Sequence, residues 1–169
     1  MVLHNMMFVL AILSIVCFSG PSRADDPFGF EQSGTPDQYS CGTDSLQPPN
    51  YYCADAPRKH PFFAHYEIKY HPSIGVCAVV GVSDPISDDE RYKSRVGELK
   101  RQLEVKYGTL QEHFNNTVTI ENGAGIHGGN ITKILLWPDF DHNIIRLTFE
   151  FIDSQRCEDA ARADRKGAF

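Results

Sequence analysis

His65, Glu67, Lys69 and His71 alternate with Ala64, Tyr66, Ile68 and Tyr70. In an extended strand successive side chains point to opposite faces, so this spacing sets two imidazoles, a carboxylate and an ammonium along one side. Imidazole and carboxylate are the groups of a zinc site or of general acid and base catalysis, and Arg146 or Glu150 from another strand could join them. A hydrolase or metal-dependent enzyme using His65, Glu67 and His71 is therefore the alternative reading. The plainer one is a solvated sheet face, which needs the same residue types, and a site would further require that their roles converge in a pocket.

The remaining chemical candidates are weaker. Asn122 to Asn130 holds four glycines and His127, but it lacks the lysine of a phosphate-binding loop and no strong helix follows it. That segment reads as a turn or a partner-contacting loop. Asp139, Asp141 and His142 carry cation donors, yet they equally suit a turn, and a calcium loop needs more acids and a distant glutamate in register. No serine sits in a G-x-S-x-G elbow. Asn115-Asn116-Thr117 and Asn130-Ile131-Thr132 match glycosylation sequons, which have force only in a eukaryotic secretory pathway. No catalytic residue, metal ligand or cofactor is assigned.

The elements that would position these groups centre on Gly75 to Gly108. Gly75 to Val82 is small and β-branched, apolar on both faces, and reads as a strand covered on both sides. Ser87-Asp88-Asp89-Glu90 then reads as a capping box with Ser87 as the cap. Tyr92, Val96, Leu99, Leu103 and Tyr107 recur every three or four residues, an apolar stripe on a helix of about 30 Å that Gly108 stops. Phe62 to His71 and Gly75 to Val82 form a first expected hairpin; Ile131 to Trp137 and Asn143 to Ile152 form a second around Pro138 to His142. In the last strand Ile145, Leu147, Phe149 and Phe151 share the face that should meet the helix. Asn115 to Glu121 carries a weaker strand signal through Val118 and Ile120, and Glu158 to Arg165 suits a short surface helix.

The expected fold is α+β, an antiparallel sheet of two β-hairpins in ββαββ order with one long helix packed across it. Residues 59–158 would form this single domain and 159–169 a charged tail. Residues 25–58, rich in proline and glycine, read as an irregular arm. Its Phe28, Phe30, Tyr51 and Tyr52 could lie on the sheet or, with His127, meet a partner.

The 169-residue chain begins with an apolar run, Phe8 to Phe18, followed by Gly20-Pro21 and the small-x-small pattern Ser22-Arg23-Ala24. Residues 1–24 read as a signal peptide cleaved after Ala24, which leaves no stable transmembrane anchor. Cys17 lacks the small residue that a lipid-attachment site wants just before it. Cleavage removes Arg23 and no acid, so the formal charge of −6 becomes −7. An acidic chain without a basic stripe argues against nucleic-acid binding. Four cysteines remain, an even number for an oxidising compartment, periplasmic or secreted. Of three possible pairings, Cys41 with Cys53 and Cys77 with Cys157 is favoured, and zinc is disfavoured because no C-x-x-C pair occurs.

Gly75-Val76-Cys77, a helix closing on Lys106-Tyr107-Gly108, a strand bearing Trp137, and Leu147-Thr148-Phe149-Glu150-Phe151 ahead of Cys157 together resemble a loose group of small exported bacterial proteins. The group is mostly uncharacterised, and the resemblance carries no catalytic residue across. A disulfide-stapled scaffold with an aromatic arm and no converging catalytic set fits binding better than turnover. The functional expectation is a non-enzymatic binding, inhibitor, immunity or accessory factor acting on a protein or envelope component.

Overall fold

Gly75–Val82 (β4) lies at the centre of the sheet, as its apolar character on both faces requires. The computed structural model describes residues 26–43 and 50–167; the expected signal peptide, with Cys17, lies outside the described residues. β1 (Gly42–Thr43), β2 (Asn50–Cys53) and β3 (His65–His71) precede β4. Helix α1 (Asp89–Tyr107) follows, then β5 (Gln111–Glu112), β6 (Val118–Glu121), β7 (Ile131–Asp139), β8 (Ile144–Phe151) and helix α2 (Ser154–Gly167).

The ββαββ expectation is overturned. One eight-stranded, wholly antiparallel sheet runs in the order β1-β2-β3-β4-β8-β7-β6-β5. It consists of two four-stranded meanders joined through α1, with the last strand of each side by side. The expected hairpins are its inner four strands. The outer four are too short for a period-two pattern to declare itself, and β1 and β2 come from the arm, which is therefore not irregular throughout. Very short outer strands also leave little exposed edge for another chain to pair with.

The core lies between α1 and one sheet face. Tyr92, Val96, Leu99 and Leu103 bury their stripe against Ile68, Val79, Leu136, Ile145 and Leu147. Asp88, not Ser87, caps α1: its carboxylate accepts the Arg91 amide at 2.6 Å. Charge makes Asp88 the better partner for a helix N-terminus. Buried Tyr92 donates its hydroxyl to the Ile144 carbonyl at 3.1 Å, and burial, reinforced by the Asp139 charge, pushes its pKa up to about 12.

The arm completes the core. Phe30 is fully buried and edge-on to Tyr39 at 4.8 Å, while Phe28 packs on Phe63, Tyr66 and Phe149. Its backbone is locked to β4, since the Val76 amide donates to the Gln32 carbonyl at 2.8 Å. Gly75 permits that approach: its φ is +102° and a Cβ there would stand 2.2 Å from the Gln32 oxygen. Gly75→Ala is expected to lower stability by about 2 to 3 kcal/mol, as urea denaturation would show. Gly108→Ala, with φ +97° but open space around it, is expected to cost less because only the backbone strain remains.

Two disulfides staple the domain. Cys41 joins Cys53 across 12 residues, and Cys77 joins Cys157 across 80. Among the described residues no helix is long and apolar enough to cross a membrane.

Candidate functional site

The face opposite α1 can be read strand by strand from the register. One rung is His65, Val82, Arg146 and Trp137 across β3, β4, β8 and β7. The next is Tyr52, Glu67, Val80, Thr148 and Leu135, and a third is Asn50, Lys69, Ala78, Glu150 and Lys133. On central β4 these two rungs carry Val82 and Val80, with His65 and Glu67 beside them on β3 and Arg146 and Thr148 on β8.

Helix α2 divides this face. It leaves β8, is bonded to β4 through Cys157, and lies against β3, where Glu158 meets Lys69 at 3.4 Å and Asp164 meets His71 at 3.1 Å. The four groups that alternate along β3 are thus split. His65 and Glu67 stay on the open part; Lys69 and His71 pass to the α2 end, where His71 also contacts Ser73 at 2.8 Å. Six residues of strand separate the two imidazoles by about 20 Å. Among the described residues no group of three or more His, Cys, Asp or Glu side chains could hold a metal ion.

On the open part the charges answer one another. Arg146 Nη1 reaches both oxygens of Glu67, at 3.2 and 3.4 Å, and His65 Nε2 stands 3.8 Å from Glu67. Tyr52 leans over the His65 ring with centroids 4.9 Å apart. Lys133 pairs with Glu121 at 3.0 Å, and this bond holds the lysine above its ordinary pKa against the opposing effect of burial. Trp137 stands beside Arg146, 46% exposed from mid-strand, while Tyr52 across the face is 47% exposed. Four strand spacings separate these two rings, or about 19 Å.

The other candidate residues are scattered. Of the five aromatic and histidine positions considered for a partner, Phe30 is buried, Phe28 and Tyr51 are partly buried against the core, and only Tyr52 and His127 are exposed. His127 is remote from Tyr52, bonded through Nε2 to the Lys106 carbonyl beyond the far end of α1. The 122–130 loop is pinned by buried Ile126. Asp139 accepts the amides of Asp141 and His142 and meets His142 Nδ1 at 3.0 Å, which makes it a turn anchor. Burial pushes the Asp139 carboxyl up, but the hydrogen bonds from His142 outweigh it and hold the group below its usual range.

From sequence, Trp137 is only a scaffold marker, and Asn50, Arg162 and Arg165 have no role. For Trp137 the missed signal was available, because a tryptophan on the polar side of an alternating pattern has no core reason to be there. Compared with known proteins, the chain matches no family model, no curated protein and no solved structure.

Proposed function

We propose that this is an exported, non-enzymatic protein that binds another protein through the open sheet face, as an inhibitor, immunity or accessory factor. The observation that carries the reading is Trp137 and Tyr52, both about half exposed on one face, flanking the Arg146–Glu67 pair over a floor of Val80 and Val82. Trp, Tyr and Arg are the residues that dominate binding energy at protein interfaces, and here they stand on rigid strands rather than loops. The Glu67 pair and the His65 ring already restrain Arg146 and Tyr52, which lowers the side-chain freedom a partner must freeze out.

Two disulfides support the exported assignment, since such bonds persist in oxidising compartments such as the periplasm or the extracellular space. The resemblance to small exported bacterial proteins points the same way, and we propose that the chain belongs with them. The test is affinity capture from envelope and secreted extracts with the mature protein beside Trp137→Ala and Arg146→Ala. A partner enriched by the native protein is expected to be weakened at least about tenfold by Trp137→Ala, the loss of an interfacial hot spot. Repeated failure to enrich any protein, or a partner indifferent to both substitutions, would count against the reading.

A further inference from the structure

The α2 end of the same face holds a second feature that the open face does not use. Between α2 and the sheet lies a groove of about 670 Å³, within the size range of small-ligand sites. Its floor is the rung Asn50, Lys69, Ala78 and Glu150, in which Ala78 at the centre leaves space. Its roof is α2, where Ser154, Cys157, Glu158, Ala161, Arg162 and Arg165 line the groove beside Asp164, which is turned to His71. Those positions recur every three or four residues, the spacing of one helix face. A helix docked for stability alone would present apolar residues there, yet Cys157 is the one buried residue of α2.

The groove is also electrically polar along its length. Glu150 lies where α2 leaves β8, and Arg162 and Arg165 lie about 12 to 16 Å further along the helix. Lys69 and His71 are engaged by Glu158 and Asp164. Arg165 makes no ion pair among the described residues, Arg162 has only an exposed contact with Asp159 at 3.8 Å, and the Glu150 carboxylate feels Lys133 at a distance. Asn50 Oδ1 is buried with no hydrogen-bond partner among the described residues, and Asn50 lines the groove. A buried acceptor left unpaired is destabilising, and a ligand N–H would relieve it.

We propose that this groove binds a short peptide in its zwitterionic form. Its free ammonium meets Glu150, its free carboxylate meets Arg162 and Arg165, and a backbone N–H donates to Asn50 Oδ1. Length follows from the charges: an extended chain advances about 3.4 Å per residue, and the arginine side chains lean back toward the start of α2 and shorten the interval, so three or four residues span it. Side-chain size follows from the middle of the groove, where Ala78, Ala161 and the Cys77–Cys157 disulfide favour alanine-sized groups.

The test is a chemical-shift titration of the disulfide-intact mature chain with tri-alanine, N-acetyl-tri-alanine and tri-alanine amide. Tri-alanine is expected to shift resonances of residues around Ala78 and Ala161 saturably, and blocking either terminus should weaken it about tenfold. A variant with Arg162→Gln and Arg165→Gln, both at exposed helix positions, should weaken tri-alanine by a similar factor and leave the amide unchanged. Glu150→Gln should do the converse, sparing the acetylated peptide. Equal affinity for all three peptides, shifts confined to the open face around Trp137, or no saturable shift up to about 10 mM would each overturn the proposal.

Discussion

Removing the Cys77–Cys157 disulfide by alanine at both positions is expected to lower stability by about 4 to 5 kcal/mol, the largest effect of any change outside the apolar core. Closing a loop of 80 residues restricts the unfolded chain by that amount in the loop-entropy relation, against about 3 kcal/mol for the 12-residue Cys41–Cys53 loop. Both Cys77 and Cys157 are buried, so alanine removes two sulfur atoms without exposing a polar group. Urea denaturation of the two double-alanine variants would give the comparison directly. The loss should also be local. Among the described residues α2 is otherwise tied to the sheet by the Lys69–Glu158 ion pair and the His71–Asp164 contact, and such surface contacts contribute under about 1 kcal/mol each. Amide exchange along Ser154–Gly167 should therefore accelerate beyond what the global loss predicts. Unchanged protection of α2 would mean that packing holds the helix in place. The roof of the groove would then be rigid without the covalent tie.

What the sequence showed and what it hid divide by length of pattern. The stripe of α1 and the alternation in β3 and β8 each span seven or more residues, enough for period to separate helix from strand. β1 and β5 are two residues each and β2 is four, and such segments become strands because a neighbouring backbone offers hydrogen bonds in register. No local property of Gly42–Thr43 could announce Tyr51 and Tyr52 as its partners. The candidate site divides in the same way. That His65 and Glu67 share a face with Arg146 follows from alternation; that Lys69 and His71 leave their company follows from where α2 crosses. Its polar, small inward face reads from sequence as a surface helix, because nothing local distinguishes a side chain facing a groove from one facing water.

Phe30→Ala is expected to cost about 3 to 5 kcal/mol, the range for deleting a buried phenylalanine. Phe114→Ala should change stability by less than about 0.5 kcal/mol, because that ring is 88% exposed. The contrast distinguishes two accounts of the aromatic arm. If the arm were a partner-binding surface lying on a finished domain, its aromatic rings would be dispensable to folding, and both substitutions would be small. The packing argues otherwise: Phe30 touches Tyr39 within the arm and Tyr66 on β3, and the Tyr39 hydroxyl accepts the Glu31 amide at 2.9 Å. Ring, hydroxyl and the Gln32–Val76 backbone bond therefore form one unit, and the Val76 amide should lose its exchange protection in Phe30→Ala along with the stability. Should the substitution cost less than about 1 kcal/mol, the core beneath α1 would be complete without the arm, and Phe28 and Phe30 would return as candidates for the partner surface. The expected result leaves that role to Arg146 and Trp137, and within the arm to Tyr52 alone, whose strand β2 presents it on the face opposite α1.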